Sequence, residues 1–212
     1  MTSPAILPDA PTLPDALLLL DYVGIAVFAV SGALLAAEKK QTLVTFIFFA
    51  VVTGVGGGTM RDLLIGAPVF WVGTNATLLI CIAAAIAVWL FSRHAFAGKA
   101  LLWFDAIGLA AYATYGAAKA LNYGVAPVPA FAMGVMTACV GGIIRDVLAG
   151  EPSILMRPEL YVTAAALASG LFVVLTLFGA PAGLAALVAG LAGFSLRGAA
   201  ISRGLSLPAY DR

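Results

Sequence analysis

Seven apolar stretches, each close to the length of a membrane-crossing helix, fill almost the whole chain. They run Ala16–Ala37, Leu43–Gly66, Thr74–Ser92, Ala100–Leu121, Val128–Gly150, Leu160–Phe178 and Gly183–Ile201. An α-helix needs about 20 apolar residues to span the hydrocarbon core of a bilayer. Between the stretches lie short breaks marked by Glu38-Lys39-Lys40, Pro68, Arg93-His94, Gly98-Lys99, Asn122-Tyr123-Gly124, Pro152, Pro158 and Pro181, the residue types that punctuate helices. The strict alternation of a membrane β-barrel is absent. The pattern predicts an all-α integral membrane protein, one membrane domain of seven transmembrane helices with no room for a soluble one.

Composition agrees and narrows the function. Of 212 residues, 63% are hydrophobic and 10% are charged, against about 45–50% and 25% in soluble domains. A cytosolic enzyme is excluded on that ground. The net charge of +1 offers no bulk attraction to a polyanion, so nucleic acid is not an expected partner. Cys81 and Cys139 lie inside apolar runs and read as packing residues. His94, the single histidine, sits in a basic loop and suggests no metal site. Metalloprotease, nucleotide-binding and nucleophile-elbow signatures are missing, so neither an enzyme nor a cofactor is expected. The first fifteen residues are proline-rich and lack Lys and Arg, which reads as a retained tail, not a cleaved signal. Seven spans put Lys39, Lys40, Arg93, Lys99, Arg145, Arg157, Arg197, Arg203 and Arg212 on one side and leave Arg61 and Lys119 on the other. By the positive-inside rule the N-terminus faces outward and the C-terminus is cytoplasmic.

The chain also repeats itself. A shift of 84 positions lays Asp21–Pro68 on Asp105–Pro152 without a gap, matching Gly24 to Gly108, Gly32 to Gly116 and Thr53 to Thr137. The densest match sets Gly57-Gly58-x-x-Arg61-Asp62-x-Leu64-x-Gly66-x-Pro68 on Gly141-Gly142-x-x-Arg145-Asp146-x-Leu148-x-Gly150-x-Pro152. Each copy holds three spans, an odd number, so the second must enter the membrane from the opposite face. The expectation is two inverted repeats, residues 16–92 and 100–178, with an added helix at 183–201. Such architecture usually goes with a site at the midplane.

Span 2 carries Gly56-Gly57-Gly58 near its middle and span 5 carries Gly141-Gly142. Each glycine costs a helix about 1 kcal/mol relative to alanine. The run is therefore read as a bend that frees carbonyl oxygens for a hard monovalent cation, with close packing through small residues as the alternative. Arg61-Asp62 and Arg145-Asp146 follow at once. Ionised side chains at this depth need a polar interior and a partner. Neighbours on a helix point about 100° apart, so pairing across the repeats is expected, Arg61 with Asp146 or Arg145 with Asp62. Snorkelling of either Arg is the alternative. Asp21 and Asp105 serve either as cation-attracting mouths or as helix-dipole partners. Lys119 is either pore-facing or an anchor, and Ser31, Tyr112 and Tyr115 supply hydroxyls to line or gate a water path. Trp71, Trp89 and Trp103 fit an interfacial aromatic belt.

The Gly56-Gly57-Gly58-Thr59-Met60-Arg61-Asp62 run, echoed by Gly141-Gly142-Ile143-Ile144-Arg145-Asp146, resembles the trimeric intracellular cation (TRIC) channel family. It is most similar to the prokaryotic branch, also labelled glycine-transporter-domain or UPF0126 proteins. The resemblance covers Leu17 to Ile201. It implies seven helices in two inverted three-helix repeats plus one, and a homotrimer in membrane lipid. It also implies an hourglass pore inside each subunit that passes potassium, sodium and other monovalent cations. In the family, spans 2 and 5 kink at these glycines and line the pore, which places Gly56, Gly57, Gly58, Gly141 and Gly142 on the path with Arg61, Asp62, Arg145 and Asp146 nearby. Animal members carry a phosphoinositide-binding K-E-V motif where this chain has Ala118-Lys119-Ala120, and a long Lys-rich tail that it lacks. That difference points to a prokaryotic plasma membrane. The expected function is a monovalent cation channel. The alternative is a secondary transporter of a small zwitterion such as glycine, whose carboxylate an Arg could grip.

Overall fold

Lipid surroundings demand that each backbone polar group be bonded within its own segment, and long unbroken helices meet that demand. The computed structural model describes residues 15–95 and 99–208. The amino-terminal tail, Gly98 and Arg212 lie outside the described residues, as do the side chains of Arg93 and His94. Among the described residues seven α-helices follow one another: α1 (Asp15–Glu38), α2 (Leu43–Leu64), α3 (Asn75–Ala95), α4 (Ala100–Asn122), α5 (Pro127–Leu148), α6 (Val162–Leu177) and α7 (Ala182–Arg203). Their ends fall within three residues of the expected ones. The largest shift is at α3, which ends at Ala95 instead of Ser92.

The stops of α2 and α5 are built alike. Gly66 and Gly150 both take a left-handed φ of 69°, which glycine adopts without a Cβ penalty. The next N–H then returns to an aspartate carbonyl, Ala67 N to Asp62 O at 2.9 Å and Glu151 N to Asp146 O at 3.0 Å. Between α5 and α6 the chain makes a short 3-10 turn, Ile154–Met156, whose Ser153 side chain accepts from Leu155 N. That turn was not legible in the hydropathy pattern.

Helix α4 is the hub. It packs on α1, α5, α6 and α7, while α1 also packs on α2 and α3, and α2 packs on α5. From Asp105 to Ala120 every α4 residue except Ile107 is buried. Among the described residues four helices, α1 from Leu17, α2, α5 and α7, are long and apolar enough to cross a membrane on their own. The apolar parts of α3 (Asn75–Phe91) and α6 (Val162–Leu177) are shorter. Helix α4, which carries Asp105 and Lys119, replaces contact with lipid by contact with its neighbours.

The distribution of side chains is that of a protein dissolved in lipid. Leu19, Phe48, Leu63, Leu79, Phe91, Leu177 and Leu187 are exposed, while Asp21, Arg61, Asp62, Asp105, Lys119, Arg145, Asp146 and Arg197 are buried. Cys81 and Cys139 are free and buried. Trp89 and Trp103 are partly exposed, and Trp71 Nε1 donates to Thr59 Oγ1 at 2.9 Å.

One end of the bundle gathers the α1–α2 turn, the α5–α6 linker and the end of α7. Lys39 pairs there with Glu151, Lys99 Nζ donates to Ile201 O at 3.2 Å, and Leu207 N donates to Pro158 O at 2.7 Å. This is the basic end.

Candidate functional site: two charged clusters flanking a helix crossing

Helices α2 and α5 cross backbone to backbone. A Cβ at Gly57 would stand 2.0 Å from Thr137 O, and one at Gly141 would stand 2.4 Å from Thr53 O. No side chain fits either position, and the two contacts are reciprocal between residues 84 positions apart. Both helices run unbroken through their glycines, with no positive φ among them. Neither helix is interrupted at its glycines. The glycines do what close helix contact requires, letting two backbones touch. Thr53 and Thr137 are buried at the crossing. Thr137 Oγ1 donates to Met133 O at 2.6 Å, and Thr53 Oγ1 has no hydrogen-bond partner among the described residues. Gly56 faces Ile144 Cδ1 at 3.3 Å from its Cβ position, Gly58 faces the Phe70 ring, and Gly142 faces Tyr161 Oη.

The arginines correct a second expectation. Arg61 Nε donates to Asp62 Oδ1 at 2.9 Å and Arg145 Nε to Asp146 Oδ1 at 2.9 Å, so each pairs with its own neighbour. The 100° offset is real, but the arginine stem is long enough to fold across it. Cross-pairing is ruled out by distance. Arg145 bonds Ser31 and Asp105, whereas Arg61 lies over the Tyr115 ring at 5.1 Å and near Asp21. Ser31 is ten residues beyond Asp21 on α1, and Tyr115 ten beyond Asp105 on α4. At 1.5 Å per residue the clusters are about 15 Å apart. The same contacts show that α1 and α4 run in opposite senses between them.

The cluster away from the basic end holds two cations. Lys119 Nζ sits 2.9 Å from Asp62 Oδ1 and 3.0 Å from Oδ2, with the Phe70 ring 5.7 Å away. Asp62 Oδ2 also accepts from Phe70 N at 3.1 Å. Lys119 thus turns inward and does not snorkel, and Arg61, 1% exposed, does not either. Among the described residues Arg61 Nη1 has no hydrogen bond, and the Tyr115 face adds to the Asp62 pairing in meeting the guanidinium charge. Tyr112 donates to Gly54 O at 3.3 Å and stacks on Tyr115 with centroids 6.2 Å apart.

The cluster at the basic end is acid-rich. Arg145 Nη1 meets Asp105 Oδ1 at 2.8 Å, Asp146 Oδ2 accepts from Ile154 N at 3.0 Å, and Asp105 Oδ2 has no partner among the described residues. Above it opens a vestibule of about 270 Å³ lined by Glu38, Arg145, Asp146, Glu151 and Arg157 with leucine walls. Lys39 holds the Glu151 carboxyl below its ordinary pKa by hydrogen bond and charge. Among the described residues no group of His, Cys, Asp or Glu is placed to hold a metal ion.

All the candidate residues thus fall into the crossing or one of its two flanking clusters. Phe70, Tyr161, Glu159 and Arg197 were not singled out from the sequence. Arg197 could have been, as the lone charge within the Gly183–Ile201 apolar run. Phe70 lies in a connection and Tyr161 directly before α6, and hydropathy says nothing about the contacts of either.

A family model described as Glycine transporter matches residues 18–93 and again residues 102–177. A TRIC trimeric intracellular cation channel orthologue from Rhodobacter sphaeroides superimposes with a TM-score of 0.88 at 44% identity, over 91% of this chain and 100% of that one. The chain belongs to the prokaryotic TRIC channel family. The two stretches matched by the family model are offset by the same 84 positions as the internal repeat. Among other relatives, the UPF0126 membrane protein of Vibrio cholerae is 46% identical over 155 residues, 70% of this TRIC-family chain and 63% of that protein's length, under two thirds of it. The UPF0126 inner membrane protein YadS of Escherichia coli is 41% identical over 150 residues, 68% of this chain and 72% of that one. This TRIC-family chain is an integral membrane protein whose structural neighbours are cation channels.

Proposed function

We propose that this TRIC-family chain is a passive channel for monovalent cations, potassium and sodium among them, with one conduction path inside each protomer of a homotrimer. The observation that carries the reading is the α2–α5 crossing, closed by bare backbone and flanked about 15 Å apart by buried charged clusters. Buried ionised residues in a membrane bundle mark ion or substrate pathways. The path runs from Asp21, Asp62 and Lys119, past Tyr115 and Tyr112, between Thr53, Gly56, Gly57, Gly58, Thr137, Gly141 and Gly142, to Ser31, Asp105, Arg145 and Asp146. Opposite senses of α1 and α4 support two inverted repeats, 16–92 and 100–178, with α7 as the addition. The basic end is placed in the cytoplasm of a prokaryotic plasma membrane.

The crossing as it stands admits no ion. Conduction requires α2 and α5 to separate there, exposing the Thr53 and Thr137 carbonyls to a partly dehydrated cation, with glycines on both helices giving the backbone room to flex. The acid-rich vestibule biases entry toward cations.

The test is recording from purified protein in a planar bilayer under a potassium gradient. Discrete current steps that reverse at the potassium potential are expected. Saturable uptake of labelled glycine into proteoliposomes without such currents would overturn the reading in favour of a secondary transporter. A closed crossing with a vestibule on one side suits that alternative too.

A further inference from the structure

Beside the vestibule lies a buried group that the conduction path does not use. Arg197 on α7 is fully buried. Its Nη2 pairs with Glu159 Oε2 at 2.7 Å, its guanidinium carbon lies 5.3 Å from the centre of the Tyr161 ring, and Nε and Nη1 have no hydrogen-bond partner among the described residues. A charge in this setting is costly unless its partners are held for a purpose, and a desolvated cation binds an aromatic face strongly.

Tyr161 is buried as well, and its far end reaches the basic-end cluster. A Cβ placed on Gly142 would lie 3.0 Å from Tyr161 Oη, 3.4 Å from Asp105 Oδ1 and 3.6 Å from Arg145 Nη2. Tyr161 thus reaches from one group to the other, its ring under Arg197 and its hydroxyl, which has no hydrogen-bond partner among the described residues, beside the Asp105–Arg145 pair. Helix α7 is fastened at this end by further contacts. Gly193 packs on Ala168 and Ala164 of α6, Ser206 bridges to Glu159, and Leu207 N bonds Pro158 O. In the first repeat the positions of Glu159 and Tyr161 are taken by Asn75 and Thr77. Among the described residues no helix there plays the part of α7.

We propose that Arg197 is a positioning residue. Acting through Glu159 and Tyr161, it fixes the shape of the Asp105–Arg145 mouth and makes the basic end the stiffer of the two. Its consequence for conduction rests on the channel reading above, but its geometry is testable without any current.

The test uses the full chain with Cys81 and Cys139 replaced by alanine and one new cysteine, either Leu102→Cys in the vestibule wall or Val72→Cys near the other cluster. The rate of modification by a membrane-impermeant thiol reagent is measured. Arg197→Met is expected to raise the rate at position 102 about fivefold, as loss of a local brace shifts an opening equilibrium, and to leave position 72 unchanged. Arg197→Lys keeps a cation for Glu159 and the ring and should stay near the parent. Tyr161→Ala removes the ring that lies between Arg197 and the Asp105–Arg145 pair, and should reproduce the rise even where Arg197→Met fails to fold. An unmoved rate at position 102 in these variants overturns the proposal, and so does an equal rise at both positions, which would mean general loosening. A parent protein that passes no potassium would sink the channel reading while leaving the labelling rates to decide this one.

Discussion

Gly57 and Gly141 are held to glycine by one backbone oxygen each, and substitution should expose that. Gly57→Leu drives a side chain into Thr137 O, whereas the nearest atom to a Cβ at Gly190 in α7 is 4.0 Å away. Overpacking of this kind costs about 1–3 kcal/mol or more, so Gly57→Leu should lower the unfolding temperature in detergent and remove potassium flux, with Gly190→Leu close to the parent in both. Asp62 offers a second test. It pairs with both Arg61 and Lys119, and removing one partner of a buried pair costs about 3–5 kcal/mol. Asp62→Asn should therefore destabilise strongly, and adding Lys119→Met should recover part of the loss in a thermal-unfolding double-mutant cycle. The presence of these charges was legible in the sequence, but their pairing was not. Helix angles say where an arginine leaves the backbone, not where three methylenes let its guanidinium arrive.

At the scale of elements, hydropathy and breaks located all seven helices, because each apolar run is bounded by residues that stop a helix. Two features escaped it. The 3-10 turn Ile154–Met156 rests on a single Ser153 cap inside a proline-rich connection, so α6 starts at Val162 and not at Leu160. The glycines of α2, read from the sequence as a bend with close packing as the alternative, lie inside a continuous helix and form a contact surface there. Propensity counts a cost of about 1 kcal/mol per glycine but cannot see the facing backbone that offsets it. Helix α4 shows the converse. Its Asp105 and Lys119 weaken its membrane signal because its surroundings are protein, and that burial makes it the hub of both clusters.

For the whole molecule, the duplicated sequence becomes a set of reciprocal contacts. Gly57 meets the Thr137 carbonyl and Gly141 the Thr53 carbonyl, and Asp62 and Asp146 each accept the N–H eight residues on. The symmetry is broken by Lys119, whose counterpart is Leu35, and by α7. The orientation of the molecule is open to direct test. In a background without Cys81 and Cys139, Lys40→Cys should react with an impermeant reagent only from the cytoplasmic side, where the positive-inside rule puts the basic end. Reaction from outside alone would invert the assignment.

The most direct test of the central claim, that ions pass where α2 and α5 now touch, is a reversible crosslink at that place. In a background without Cys81 and Cys139, Gly56→Cys with Ile144→Cys puts one thiol on each helix at the crossing, where the Gly56 Cβ position lies 3.3 Å from Ile144 Cδ1, the far end of that side chain. Potassium current through this variant in a planar bilayer should fall to background when an oxidant joins the pair and return when a reductant frees it. Full current through protein shown by mass to be crosslinked would place the path elsewhere and contradict the account.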